Sequence, residues 1–303
     1  MMAAPPHSFR FAEFFQVPIF ISYWLLAMFT FQILQAASDW RQPTEWGISY
    51  AILSELLVFI TILVHEFGHG LMTRHLGGSI DKILLWPLGG ICFSVMPRSL
   101  SVRDKVLNDL KIVVAGPATH LFQLPIWLTV LYLGFPLVDP LQFLNPFGHW
   151  RIPEEYSLLF FPSLMVSVLG FAISINVGLF IFNVFLPMYP LDASKIFTSF
   201  LQLALGWSPT ATARALVAVS GTCSVAFLFY AAFTKSLGVS FLIGLMCLGE
   251  TLQLKELLDA NRLASHPLFA HASPQSAGLL RSQTIPFGGI FSGRAYQESS
   301  NRV

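Results

Sequence analysis

Charge is scarce in this sequence: Asp, Glu, Lys and Arg make up only 11% of its 303 residues, against about a quarter in an ordinary soluble domain. A water-exposed globule of this size needs more polar surface, so the composition argues against a soluble enzyme or binding module. Net charge is only +1. Nothing therefore argues for nucleic acid as a partner. Cysteine is almost missing as well. Cys92, Cys223 and Cys247 are widely separated and form no CxxC, which excludes a disulfide framework and leaves them as small apolar packing residues. No strongly basic leader precedes the first apolar run, so that run is expected to be a retained helix rather than a cleaved signal peptide.

What the chain has instead is apolar length. Hydrophobic residues account for 54% of it, and the mean hydropathy is +0.65. Runs of spanning length lie at Val17 to Ala37, Ile48 to Met72, Ile112 to Phe135, Leu158 to Leu186, Ala211 to Phe233 and Val239 to Leu257. They predict an all-α polytopic membrane protein of about six transmembrane helices. Gly116-Pro117 in the third run predicts a bend or a helix start there. Between the second and third runs, ILLWPLGGICF (Ile83 to Phe93) is apolar but too short to span and contains Pro87, Gly89 and Gly90. It predicts a short re-entrant strand or hairpin. With six spans, Arg10, Arg74, Lys82, Arg98, Arg103, Lys105, Lys195, Lys255 and Arg262 fall on one side, against Arg41, Arg151 and Lys235 on the other. That bias places both termini in the cytosol. Residues 1–258 then form the membrane domain, and the polar, Ser-, Gly- and Arg-containing stretch 259–303 reads as a mostly disordered cytosolic tail.

Inside the second run stands HEFGH, His65 to His69. On a helix the two histidines are one turn apart on one face, so both imidazoles reach one tetrahedral ion, with Glu66 beside them as the general base. Ionisable residues at this depth are functional by default. A catalytic zinc takes a third protein ligand and keeps one position open. Two candidates lie in the apolar runs: Asp192, which ends the fourth run in NVFLPMYPLD on the same side as the end of the second run, and His120 in the third. Pro187 and Pro190 prevent a regular helix before Asp192 and let the backbone turn its carboxylate inward.

HEFGH on a second helix, AGPATH on a third and FNVFLPMYPLDAS on a fourth resemble the motifs of the site-2 protease family of intramembrane zinc metalloproteases. The likeness covers about Phe9 to Leu205, with FRFAEFFQVPIFISYW at its start and LLWPLGG after the HEFGH helix. The resemblance implies that His65, His69 and Asp192 ligate one zinc ion and that Glu66 is the catalytic glutamate. It implies too that an asparagine hydrogen-bonds the scissile carbonyl, Asn183 or Asn176 here, since Asn183 stands four residues before Pro187 where the family has three. Ala193, Ser194 and Lys195 follow Asp192 where the family usually has two glycines and often an arginine. His120 occupies a position where the family commonly has asparagine, so it reads as a polar interhelical contact.

The chemistry these residues imply is peptide-bond hydrolysis in a membrane-protein substrate within the lipid bilayer. Zinc lowers the pKa of water toward neutrality, and Glu66 takes the proton and returns it to the leaving amine. The Ile83 to Phe93 segment offers an edge to which an unwound substrate adds as a strand. Two other classes stay in view: a proteolytically inactive relative serving as a membrane chaperone or binding protein, and a metal transporter. Intact Glu66 speaks against the first, and the lack of a continuous polar path beyond Glu55 against the second.

Overall fold

A computed structural model describes residues 4–39, 41–96, 101–146, 148–234 and 238–272. It is mostly helical, with one small sheet. The chain opens with β1 (Ser8–Phe14) and β2 (Val17–Ser22), followed by α1 (Tyr23–Ser38), α2 (Thr44–His75), β3 (Ser79–Trp86), β4 (Gly89–Val95) and α3 (Val102–Gly134). A 3₁₀ turn at Pro140–Leu144 and the single turn α4 (Glu154–Ser157) lead to α5 (Phe160–Phe185), α6 (Asp192–Leu203), α7 (Pro209–Phe233) and α8 (Val239–Asp259).

Four of these helices, α2, α3, α5 and α7, are long and apolar enough to cross a membrane. On α2 the large exposed residues Ile52, Leu56, Ile60 and Val64 recur every four positions. That is a lipid-facing stripe, while Ser54, Thr61 and His65 point inward and are buried. With such helices the chain is an integral membrane protein. α3 runs unbroken through Pro117 and Pro125 from Val102. The helix therefore starts well before Gly116-Pro117.

The first apolar run is not one helix. Val17–Ser22 forms β2, and α1, only 16 residues long, starts after it, with the Ser22 hydroxyl accepting from the Leu25 N–H at 3.1 Å. The physical reason is tertiary. β2 lies between β1, antiparallel with Phe9 opposite Ile21, and β3, parallel with Ile19 opposite Ile83, and Ile19 and Ile83 are fully buried. The β-branched residues of β2 thus gain two ladders and a core at once. The order is β1-β2-β3-β4, which leaves β4 on an edge, joined to β3 by Pro87 and Leu88. A strand or hairpin is expected from the sequence only at Ile83 to Phe93, within β3 and β4; β1 and β2 are absent from the all-α reading. The turn from α2 into β3 rests on Gly77, whose φ is +85°. Gly77 N–H donates to Arg74 O and Gly78 N–H to Thr73 O, the paired bonds of a Schellman cap.

Two compact units divide the chain, and their boundaries cut through α2, α3 and α5. One comprises residues 1–71, 81–92 and 115–181, with a core of Leu131, Val138, Phe143, Val166 and Ile173. The other comprises 72–80, 93–114 and 182–303, with a core of Tyr189, Ala213, Leu216, Leu254, Leu263 and Phe269. The last two belong to the stretch expected to be a disordered tail. Residues Leu263–Ser265 and Pro267–Ala272 form 3₁₀ turns there, because Leu263 and Phe269 find an apolar core to fill. The rest of the tail, 273–303, lies outside the described residues.

Candidate active site

The HEFGH segment is continuous α-helix inside α2, so the four-residue spacing brings the two imidazoles together. His65 Nε2 and His69 Nε2 lie 3.1 Å apart, and their rings meet edge to face. Two nitrogens bound at tetrahedral angles about 2.0–2.1 Å from a zinc ion would be separated by about 3.3 Å. The donor set therefore fits a metal of this kind. Glu66 completes a cluster whose ligand atoms all lie within 4.8 Å of one another. His65 and Glu66 are buried and His69 is half-buried.

Glycines make the room. A Cβ on Gly116 of α3 would strike the His69 ring and come within 2.8 Å of His65 Nε2. A Cβ on Gly68 would lie 2.5 Å from Ala115 O, so α2 and α3 meet backbone to backbone here. From the sheet, Gly90 of β4 borders Glu66, leaving no space for a Cβ. Sequence reading names Gly116 only for a bend or helix start and Gly90 only for a hairpin, and does not single out Gly68, although all three stand inside the quoted motifs. The signal was the motif, and the reason, close approach, is tertiary.

On the far side of the His65 ring, Nδ1 lies 3.1 Å from His120 Nε2. His120 Nδ1 lies 2.9 Å from Asn176 Oδ1, and Asn176 Nδ2 donates to Ala172 O at 2.8 Å. His120 and Asn176 are each 1% exposed. Both His120 nitrogens are thus engaged away from the gap between His65 Nε2 and His69 Nε2. That geometry disfavours His120 as a ligand to an ion held there, and gives it the interhelical contact.

Asp192 lies in the other unit, as the first residue of α6. It is 5% exposed, and Lys195 Nζ approaches its Oδ1 at 3.2 Å. The chain before it leaves helical geometry after Phe185 and contains a cis Tyr189-Pro190 bond. Tyr189 N–H donates to Ser220 Oγ at 2.7 Å, and Ser220 pairs with Thr251, which ties this loop to α7 and α8. Asn183 is half-buried near the end of α5. Glu55, three turns before Glu66, lines a polar cleft of about 550 Å³ with Gln32, Gln35, Asp39, Arg41 and Ser54.

Residues 55–231 match the model of peptidase family M50. A zinc metalloprotease of Methanocaldococcus jannaschii is 29% identical over 165 residues, covering 53% of this chain and 38% of that protein. A curated relative from Synechocystis is 23% identical over 240 residues, covering 77% of this chain and 53% of its own length. The chain thus spans less than two thirds of either relative. Among solved structures, a site-2 protease from Methanocaldococcus jannaschii aligns with a TM-score of 0.49 at 18% identity, over 81% of this chain and 94% of that one. The matched family model takes in more than half of the 303 residues, with the HEFGH helix, His120, Asn176, Asn183 and Asp192 inside it, so the chain belongs to peptidase family M50, the site-2 protease family.

Proposed function

We propose that this chain is an intramembrane zinc metalloprotease that cuts a membrane-protein substrate in or near a transmembrane segment, as in regulated intramembrane proteolysis. The observation that carries the reading is the His65–His69 pair, Nε2 to Nε2 at 3.1 Å, with Glu66 beside it on a helix able to cross a membrane. His65 and His69 would hold one zinc ion, with Asp192 as third ligand. Zinc supplies Lewis acidity, polarising the scissile carbonyl and acidifying water. Glu66 takes the proton from the attacking water and delivers it to the leaving amine. Its burial keeps the carboxylate aimed, and Gly90 admits it.

Of the two asparagines, Asn183 is the one assigned to the scissile carbonyl, because the polar ends of Asn176 are occupied by His120 and Ala172. β4 is an edge of the sheet and borders Glu66 through Gly90. An unwound substrate added to that edge would be presented to the general base as an extended strand, and the hairpin would then dip into the membrane. α1 and α8 make up the six spans, with both termini cytosolic by the basic-residue bias; a reporter fused after Val303 and found outside the cell would overturn that orientation. The membrane domain, proposed as 1–258, carries the packed turns up to Ala272 with it.

Glu66→Gln tests the reading. Glutamine keeps the shape and cannot accept the proton, so cleavage should fall by about 10² to 10⁴-fold, with zinc and fold retained. New N-termini in membrane proteins are compared between cells carrying parent and variant. Ala193, Ser194 and Lys195 after Asp192 favour a second reading, an inactive membrane chaperone, and identical N-termini in both cells would select it.

A further inference from the structure

The polar chain running from His65 across three helices has a direction, and that direction can be read from its far end. Ala172 O is a backbone carbonyl and can only accept, so the Asn176 atom 2.8 Å from it is Nδ2–H. Asn176 Oδ1 is then the atom facing His120 at 2.9 Å, and an amide oxygen can only accept, so His120 Nδ1 carries its hydrogen. In a neutral imidazole the other nitrogen is then a lone pair. His120 Nε2 therefore accepts from His65 Nδ1–H at 3.1 Å, and His65 Nε2, the atom facing His69, is left with its lone pair outward. Both middle members are 1% exposed, so water does not offer a competing arrangement.

We propose that His120 and Asn176 are positioning residues that lock His65 in the tautomer whose Nε2 binds metal, with the Ala172 carbonyl setting the sense of the whole chain. The inference rests on the reading that His65 and His69 hold the ion. It gives His120 a task beyond holding α3 against α2. A ligand imidazole that must first change tautomer or orientation binds its metal more weakly, and such outer partners are typically worth about 10–100-fold in metal affinity.

The test is a zinc-affinity comparison by chelator competition on the purified full chain in detergent, with the metal-free melting temperature of each variant measured alongside. His120→Leu and Asn176→Leu should each weaken zinc binding by about 10–100-fold while the metal-free chain melts near the parent. His120→Gln places an acceptor oxygen near the Nε2 position and should restore affinity to within a few-fold of the parent. Parent-like affinity in His120→Leu overturns the proposal, and so does a His120→Gln variant as weak as the leucine. Nitrogen-15 shifts of histidine-labelled, metal-free parent give an answer that needs no variant to fold: a hydrogen on His65 Nδ1 supports the proposal and one on Nε2 overturns it. A parent that takes up no zinc at all sinks the protease reading separately, while the tautomer is still decided by the shifts.

Discussion

Gly90 of β4 stands against the side chain of Glu66, where a Cβ would come within 2.8 Å of both Cδ and Oε1 and closer still to Cγ. The sheet thus sets the position of a helix-borne carboxylate. Gly90→Ala should push that carboxyl out of line and lower cleavage by about 10²-fold or more, since general-base help is worth about 10² to 10⁴-fold. Zinc content should stay at the parent level. Cleavage rates and metal analysis on the same preparation check both halves, and a fully active alanine variant would show that Glu66 needs no support from β4.

Gly116→Ala puts a methyl group onto the His69 ring and against His65 Nε2. Zinc content should drop sharply, and overpacking should cost about 1–3 kcal/mol of stability. Gly134→Ala is the matched control, on the same helix with nothing within 4 Å of its Cβ. It should bind zinc like the parent. Equal zinc in the two variants would mean that the cradle around the histidines yields freely.

Asp192→Ala should lower zinc content, because the proposed third protein ligand is lost. Lys195→Ala removes only the 3.2 Å ion pair, made by a side chain 32% exposed, and should leave the metal in place. Zinc retained at the parent level in the Asp192 variant would show that Asp192 is not the third ligand.

His266 carries a pH dependence. Burial pushes its pKa down from 6.5 to about 4, and its Nδ1 accepts from the Leu268 N–H at 3.3 Å. The ring packs beside Tyr189 and Phe269. Between those two pH values the unfolded chain binds a proton that the folded one refuses. Stability present above pH 6.5 is therefore lost as pH falls toward about 4, by on the order of 3 kcal/mol in all. The protection of residues 259–269 against hydrogen exchange, taken relative to the intrinsic rate at each pH, should fall over that window. His266→Asn keeps an acceptor for Leu268 and cannot titrate, so its exchange should respond less. An unchanged pH response in the asparagine variant would assign it elsewhere.

How much was legible in the sequence differs element by element. Spans at 48–72, 112–135, 158–186 and 211–233 stand out because a membrane-crossing helix must be apolar over its own length, a local requirement, and α2, α3, α5 and α7 match them, with α3 and α5 stopping one or two residues short. The helix-turn spacing of His65 and His69 is equally local. β1 and β2 did not stand out. Val-Pro-Ile-Phe-Ile is as apolar as the helix after it, and only partners at β1 and β3, the latter more than fifty residues away, make it a strand. Leu263 and Phe269 sit in a polar stretch, and their burial depends on Tyr189, Leu216 and Leu254, which come from elsewhere in the chain.

The sequence by itself determined that this chain is a membrane protein with two histidines one helical turn apart and a carboxylate beside them on one helix, because hydropathy over a span and a four-residue spacing are properties of a continuous segment. Only the tertiary structure decided which glycines admit the imidazoles and the carboxyl group, and that His120 turns its nitrogens to His65 and Asn176 rather than to the gap between His65 Nε2 and His69 Nε2. Those relations depend on the rotation and crossing of α2, α3 and α5 about one another. A few tenths of an ångström or one residue of register would change them, and no local pattern records either.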